Sequence, residues 1–121
     1  MSLGDEIEER LIAFAVRIIR LTSHLPRTVA GRHVGQQLMR SGTSPAPNYA
    51  EARNAESRRD FAHKLRICLK ELNESRIWLA IIKDSAMLPE PRLHEIIVEC
   101  DELCRIIGAS VRTIQQSDQP K

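Results

Sequence analysis

The chain has 121 residues, of which 42% are apolar and 28% are charged, and its formal net charge is +2. A chain of this length forms one domain, and its composition excludes an intrinsically disordered protein. No apolar run approaches the about 20 residues that a membrane-spanning helix needs, so we expect no membrane partner. Two Phe, one Tyr and one Trp are the only aromatic residues. This argues against a β-sandwich or barrel, because strands favour aromatic and β-branched side chains.

The N-terminal segment bears on the cellular location, and the cysteines bear on disulfide and zinc sites. Residues 1–10 are acidic and lack the basic start and continuous apolar core of a signal peptide, so we predict a cytoplasmic protein. The three cysteines, Cys68, Cys100 and Cys104, have no Cys-x-x-Cys spacing. This predicts neither a disulfide framework nor a zinc ribbon.

The first helix is predicted at about residues 5–25. From Ile7 to Leu25, apolar side chains recur in alternating steps of four and three residues, which is the spacing of one helix face. Pro26 ends the run. Four acidic residues between Asp5 and Glu9 lie in the first turns, where the helix dipole favours negative charge.

The second helix is predicted at about residues 28–55 and is the least regular. The segment between Ser41 and Pro47 contains two prolines, each of which removes a helical hydrogen bond. We predict a kink or a break there, with a second helical piece that starts at Pro45 and is capped by Ser44.

The third and fourth helices are predicted at about residues 58–86 and 91–116. Both carry long apolar patterns with the same alternating steps. Ser57, followed by Asp60 three residues later, resembles a capping box at the start of the third helix. Four helical segments with short connections predict an all-α fold, an antiparallel up-and-down four-helix bundle that spans residues 1–121 as one domain.

Two helices carry apolar side chains beyond a single face. The additional residues are Ile12, Val16 and Ile19 in the first helix and Ile96, Leu103 and Ile106 in the fourth. A wide buried stripe would account for this pattern, and so would faces that meet other subunits. We favour the second interpretation because large exposed apolar patches are rare on monomers.

Charge is segregated along the chain. Residues 25–70 contain nine Lys and Arg against three Asp and Glu, a net +6 inside a remainder of net −4. Seven of the nine are Arg, whose planar guanidinium makes paired contacts with phosphate oxygens. Two interpretations of this basic segment remain open. It forms a solvated helix face, as most charge runs do, or it attracts nucleic acid electrostatically.

The sequence lacks the local motifs of catalytic and metal sites. It has no His-Glu-x-x-His, no Glu-x-x-His and no glycine-rich phosphate loop, so we predict no metal, no cofactor and no enzyme activity. Glu71 and Glu74 avoid the apolar pattern, which favours surface ion pairs over acid/base catalysis. Cys100 and Cys104 lie inside the apolar pattern, which favours core positions over metal ligands.

A family resemblance rests on four stretches of the central block: RSGTS at residues 40–44, NYAEA at 48–52, AESRRDF at 55–61 and HKLRICLKELNE at 63–74. Together they resemble the signature of the bacterial four-helix bundle proteins encoded in intervening sequences of 23S rRNA genes. The sequence departs from the family pattern at Pro45 and Pro47, which bears on the continuity of the second helix.

The resemblance implies a homopentamer related to the accessory variability determinant of diversity-generating retroelements, a basic barrel that engages nucleic acid and a reverse transcriptase. It also implies shared polar positions, which correspond here to Arg40, Ser41, Ser44, Asn48, Glu51, Ser57 and Glu71. For these positions we favour roles in helix caps and in hydrogen bonds near the kink over direct ligand contact.

The leading hypothesis from the sequence is a non-enzymatic, oligomeric bundle that binds the RNA or DNA backbone through a basic face, as an accessory to a nucleic-acid enzyme. The predicted phosphate contacts are Arg40, Arg53, Arg58, Arg59, Lys64, Arg66 and Lys70. Among them, Arg59, Arg66 and Lys70 share one helix face, whereas Arg58 and Lys64 lie partly off it. The scarcity of aromatic residues favours backbone contact over base stacking. The competing hypothesis is a protein-interaction scaffold without a nucleic-acid role.

Overall fold

The computed structural model describes residues 1–117, and five helical segments account for most of them. The segments are α1 (Leu3–Thr22), α2 (Val29–Thr43), α3 (Pro45–Arg53), α4 (Arg58–Asp84) and α5 (Glu90–Ser117). They form the predicted four-helix bundle, because α2 and α3 are the two arms of one bent helix. Each predicted helix boundary lies within one helical turn of the observed one.

Hydroxyl side chains cap three of the helix starts. The Ser57 hydroxyl accepts the Asp60 N–H at 3.0 Å at the start of α4, which is the Ser57 half of the predicted capping box. Thr28 caps α2 in the same way. At α1, Ser2 and Asp5 form a complete capping box, because each side chain accepts the backbone N–H of the other at 3.1 Å. These bonds satisfy amide donors that have no partner inside the helix.

The second helix is bent and not broken. Ser44 keeps helical angles, with φ −69° and ψ −37°, and its N–H still donates to the Arg40 carbonyl at 3.2 Å. Pro45 and Pro47 have no N–H to donate, so two helical hydrogen bonds are missing immediately after Ser44. The helix therefore changes direction here without leaving the helical conformation.

The prediction that Ser44 caps the second arm is wrong. Its side chain accepts no backbone N–H. Instead, the Asn48 side-chain amide donates to the hydroxyl and to the carbonyl of Ser44, both at 3.0 Å. Because the backbone at Ser44 is itself helical, there is no free helix start for its hydroxyl to cap.

The helices form a square in cross-section. The α1 helix packs against α2, α3 and α5, and α4 packs against the same three segments. Among the described residues, the backbones of α1 and α4 do not come close to each other, so the two helices occupy opposite corners of the square. Their outward faces therefore point to opposite sides of the molecule.

The core follows the predicted apolar pattern and contains one polar pair. Its largest fully buried side chains include Leu11, Phe14, Ile18, Leu38, Leu65, Leu72, Leu79, Ile82, Leu93, Leu103 and Ile107. The Ser75 hydroxyl on α4 donates to the Ser41 hydroxyl on α2 at 2.9 Å, and both side chains are fully buried. Within residues 1–117, no buried side-chain oxygen or nitrogen lacks a hydrogen-bond partner.

The predicted additional apolar face is exposed on α1 but buried on α5. Ile12, Val16 and Ile19 on α1 are 50%, 39% and 49% exposed. The prediction is wrong for α5, where Ile96 and Leu103 belong to the core and Ile106 packs partly against it. Because α5 contacts both α4 and α1, the subunit itself covers its wide apolar face. No helix in the described part of the chain has the length and apolar character required to span a membrane.

Candidate nucleic-acid interface

The structure divides the seven predicted phosphate contacts into two groups. Three of these side chains form ion pairs between helices, and Arg58 donates a hydrogen bond to the Ser117 hydroxyl near the end of α5. The other three, Arg59, Arg66 and Lys70, are exposed on α4. The paired cations lie beside a neighbouring helix that supplies a carboxylate, whereas Arg59, Arg66 and Lys70 point away from the other helices.

Arg40 joins the second helix to α4. Its guanidinium donates to Glu71 at 3.0 Å and also to Glu74. The Trp78 indole N–H donates to the same Glu74 carboxylate at 3.0 Å, and the Trp78 ring meets the edge of His33 with 5.9 Å between ring centroids. Glu71 and Glu74 thus form surface ion pairs, and their partner is a cation from another helix.

Arg53 and Lys64 are also held by carboxylates. The Arg53 guanidinium, at the end of α3, lies 2.9 Å from Asp5 and 3.4 Å from Glu8 on α1. Its hydrogen bond to Asp5 holds the pKa of that carboxyl below its ordinary value. The Lys64 ammonium lies 2.7 Å from Glu51, and this hydrogen bond raises the pKa of Lys64. Arg40, Arg53 and Lys64 therefore connect helices within the subunit.

Arg59, Arg66 and Lys70 form what we call the basic stripe. They project from the outward face of α4 at positions i, i+7 and i+11, about 10 Å and about 6 Å apart along the helix axis. No carboxylate within residues 1–117 forms an ion pair with any of them. Ser57, Asp60 and His63 line the shallow depression between Arg59 and Arg66. This arrangement presents a row of cations to an external anion.

Comparison with known proteins gives a match to one family model. The model described as "23S rRNA-intervening sequence protein" matches residues 6–109, which is most of the chain. The chain belongs to this family. No curated protein matches the sequence.

A solved structure is similar to this member of the 23S rRNA-intervening sequence protein family. It is the crystal structure of a protein of unknown function from the S23 ribosomal protein family of Bacteroides thetaiotaomicron. The two chains share 30% sequence identity with a TM-score of 0.81, and the match covers 90% of this chain and 97% of the other. The bundle is thus shared with an experimentally determined relative.

The polar positions implied by the family resemblance have partners inside the subunit. Ser41 bonds to Ser75, Ser57 caps α4, and Asn48 donates to Ser44. The two carboxylates among them, Glu51 and Glu71, pair with Lys64 and Arg40. These contacts lie within the subunit, but Ser44 accepts from Asn48 and does not cap a helix as the sequence favoured.

None of the four Phe, Tyr and Trp side chains of this family member presents an exposed ring beside the basic stripe. Phe14 and Tyr49 are buried, and Phe61 and Trp78 pack against the core. His63 is the one ring that lines the depression between Arg59 and Arg66. The stripe therefore offers charge with almost no surface on which a base could stack.

The cysteines lie in or beside the core. Burial raises the pKa of the Cys68 thiol to about 12, and Cys68 donates to the Pro45 carbonyl at 3.4 Å. Cys100 is buried, while Cys104 is half-buried with a pKa lowered by the hydrogen bond from Cys100. Across residues 1–117, no three His, Cys, Asp or Glu side chains are grouped to hold a metal ion.

The sequence did not single out an apolar pair on α4. Ile77 and Ile81 are 50% and 38% exposed and continue the outward face that carries the basic stripe. Their signal is their position opposite the buried pattern from Leu65 to Ile82, which places them away from the core. The outward face of α4 thus changes from basic near its N-terminus to apolar near its C-terminus.

Proposed function

We propose that this protein is a non-enzymatic, self-associating four-helix bundle that binds the phosphate backbone of RNA or DNA through the basic stripe. The observation that carries the proposal is the contrast between the two groups of cations. Arg40, Arg53 and Lys64 are paired within the fold, whereas Arg59, Arg66 and Lys70 face outward without a carboxylate partner in residues 1–117.

The chemistry of the stripe suits a polyanion. Two guanidinium groups can each make paired contacts with phosphate oxygens, and the ammonium of Lys70 adds a third point charge. Such contacts neutralise phosphates and release bound counterions, which gives affinity without base specificity. Self-association would repeat the stripe on each subunit and strengthen its field.

The proposal includes a protein partner. The family resemblance supports an accessory role beside a nucleic-acid enzyme such as a reverse transcriptase. The family name refers to intervening sequences of 23S rRNA, so fragments of that RNA are suitable first probes for binding.

Self-association is supported by apolar surfaces on opposite sides of the bundle. One surface comprises Ile12, Val16 and Ile19 on α1, and the other comprises Ile77 and Ile81 on α4. Because α1 and α4 occupy opposite corners, a contact between the α1 face of one copy and the α4 face of the next would be heterologous. Repeated contacts of this kind close into a ring when the rotation allows it.

The binding test is a triple charge reversal, Arg59→Glu with Arg66→Glu and Lys70→Glu, measured by fluorescence anisotropy with labelled 23S rRNA fragments. At about 50 mM salt we expect the triple variant to lose at least about tenfold in affinity, because repulsion replaces three phosphate contacts. The matched control is Arg92→Glu, an exposed cation at the other end of the bundle, which should change affinity by less than about twofold.

The outcomes separate the proposal from its alternative. A nucleic-acid binder loses affinity steeply as salt rises, and the triple variant should show a shallower dependence. If the wild type and the triple variant bind RNA and DNA equally poorly at low salt, the nucleic-acid role is wrong. The basic stripe would then be assigned to an acidic protein partner, as the scaffold hypothesis requires.

A further inference from the structure

We propose that the nucleic acid bound by the basic stripe is double-stranded. This inference rests on the proposed function and adds the class of ligand. It follows from three properties of the stripe: the lack of stacking surfaces beside it, its fixed geometry on one continuous helix, and its dependence on charge alone.

The first property is the position of the aromatic side chains. Proteins that bind single strands commonly stack successive bases on aromatic rings, and these contacts supply much of the affinity. Here Phe14 and Tyr49 are buried, and the Trp78 indole is held by Glu74 on the side of α4 that faces the second helix. A single strand bound along the stripe would gain phosphate contacts and almost no stacking.

The second property is the rigidity of the stripe. Arg59, Arg66 and Lys70 project from a single helix of 27 residues whose opposite face is buried in the core. Their backbone positions span about 16 Å along the axis of α4. A duplex presents phosphates in a fixed array, so it can meet such a row without being ordered first. A flexible single strand would lose conformational freedom on binding, and no stacking would offset that loss.

The third property is the reliance on electrostatics. A duplex carries one negative charge per about 1.7 Å of axis, a higher density than that of a single strand, and therefore releases more counterions for each phosphate neutralised. When charge provides nearly all of the attraction, affinity follows charge density. The stripe should therefore prefer a duplex, whether of RNA or of DNA.

The experiment compares three labelled probes of about 24 nucleotides per strand: an unstructured single-stranded RNA, an RNA duplex and a DNA duplex, at about 50 mM salt. We expect both duplexes to bind at least about tenfold more tightly than the single strand. The variant with Arg59→Glu, Arg66→Glu and Lys70→Glu should lose this binding, while Arg92→Glu should keep it. His63→Ala should also keep the duplex preference, because the imidazole is not a stacking platform in this proposal.

The results distinguish failure of this inference from failure of the proposed function. Single-strand binding that equals or exceeds duplex binding, and that the charge reversal abolishes, would overturn the duplex preference and leave the proposed function intact. Absence of binding to all three probes would overturn both. A duplex preference that survives the charge reversal would assign binding to another surface and would likewise overturn the inference.

Discussion

Arg40 and Arg59 illustrate how one residue type takes different roles in this bundle. Arg40 lies on the second helix beside α4, and its guanidinium forms ion pairs with Glu71 and Glu74 of α4. Arg59 lies on the outward face of α4 with no carboxylate partner in the described chain. The first side chain contributes to folding, and the second remains available for a ligand.

We predict that Arg40→Gln lowers the free energy of unfolding by about 1 kcal/mol, because it leaves two carboxylates facing each other without their shared cation. Arg59→Gln, which breaks no ion pair, should change it by less than about 0.5 kcal/mol. Urea denaturation of both variants measures the difference. Equal destabilisation by the two substitutions would contradict the division of roles.

The roles of individual cations were the part of the site least accessible from sequence. The +6 segment identified all seven candidates, but their partners lie far away along the chain: Glu71 is 31 residues from Arg40, and Asp5 is 48 residues from Arg53. Such pairs depend on which helices become neighbours. Only the shared face of Arg59, Arg66 and Lys70 was predictable, because helical periodicity alone determines it.

At the scale of helices, one glycine permits a close approach in the core. A Cβ atom added at Gly42 on α2 would lie 2.8 Å from Cγ1 and 2.9 Å from Cγ2 of Ile18 on α1. Ile18 is fully buried and β-branched, so its side chain has few alternative rotamers. Gly35 lies seven residues earlier on the same helix. A Cβ atom added there would lie 3.3 Å from its nearest neighbour, Cδ1 at the flexible end of the Leu25 side chain.

The two glycines should therefore respond oppositely to the same substitution. Gly42→Ala should destabilise the bundle by about 1–3 kcal/mol through overpacking against Ile18. Gly35→Ala should be neutral or stabilising by up to about 1 kcal/mol, because alanine favours the helical conformation. Thermal and urea unfolding of the two variants provide the comparison, and a stabilising Gly42→Ala would show that α1 and α2 are less closely packed.

The element patterns were largely predictable, and the errors have physical reasons. Alternating steps of four and three residues fix a helix face regardless of what covers it, so the bundle was predicted correctly. The sequence predicts Ser44 as a cap because Pro45 interrupts the helical hydrogen bonds and a second helical piece is expected to start there, yet the chain stays helical through Ser44. For Ile96 and Leu103 the sequence favours a face that meets other subunits over a wide buried stripe, because a single sequence does not reveal that α5 contacts two neighbours.

The whole molecule has two different outward faces at opposite corners of the bundle. The α1 face is acidic near its N-terminus and apolar from Ile12 to Ile19. The α4 face carries the basic stripe and then Ile77 and Ile81. A near-neutral total charge therefore coexists with opposite charge on opposite sides of the molecule.

We predict that the wild type has a solution mass several times the 13.8 kDa of one chain, with a pentamer expected from the family resemblance. The double substitution Ile12→Ser with Val16→Ser should reduce this mass, because it removes apolar area from the α1 face. Val29→Ser, at an apolar side chain that is 85% exposed outside this face, serves as the matched control. Multi-angle light scattering measures all three, and a 13.8 kDa wild type would contradict self-association.

The buried hydroxyl pair of Ser41 and Ser75 has a consequence for how the helices are aligned. The apolar pattern of α4 repeats leucine every seven residues, at Leu65, Leu72 and Leu79. Aliphatic packing alone would thus tolerate α4 displaced along its axis by that interval. Such a displacement, about 10 Å, would separate the two hydroxyls and set each against hydrocarbon. The hydroxyl pair therefore favours the observed register of α4 against α2, while each hydroxyl also bonds to a carbonyl of its own helix.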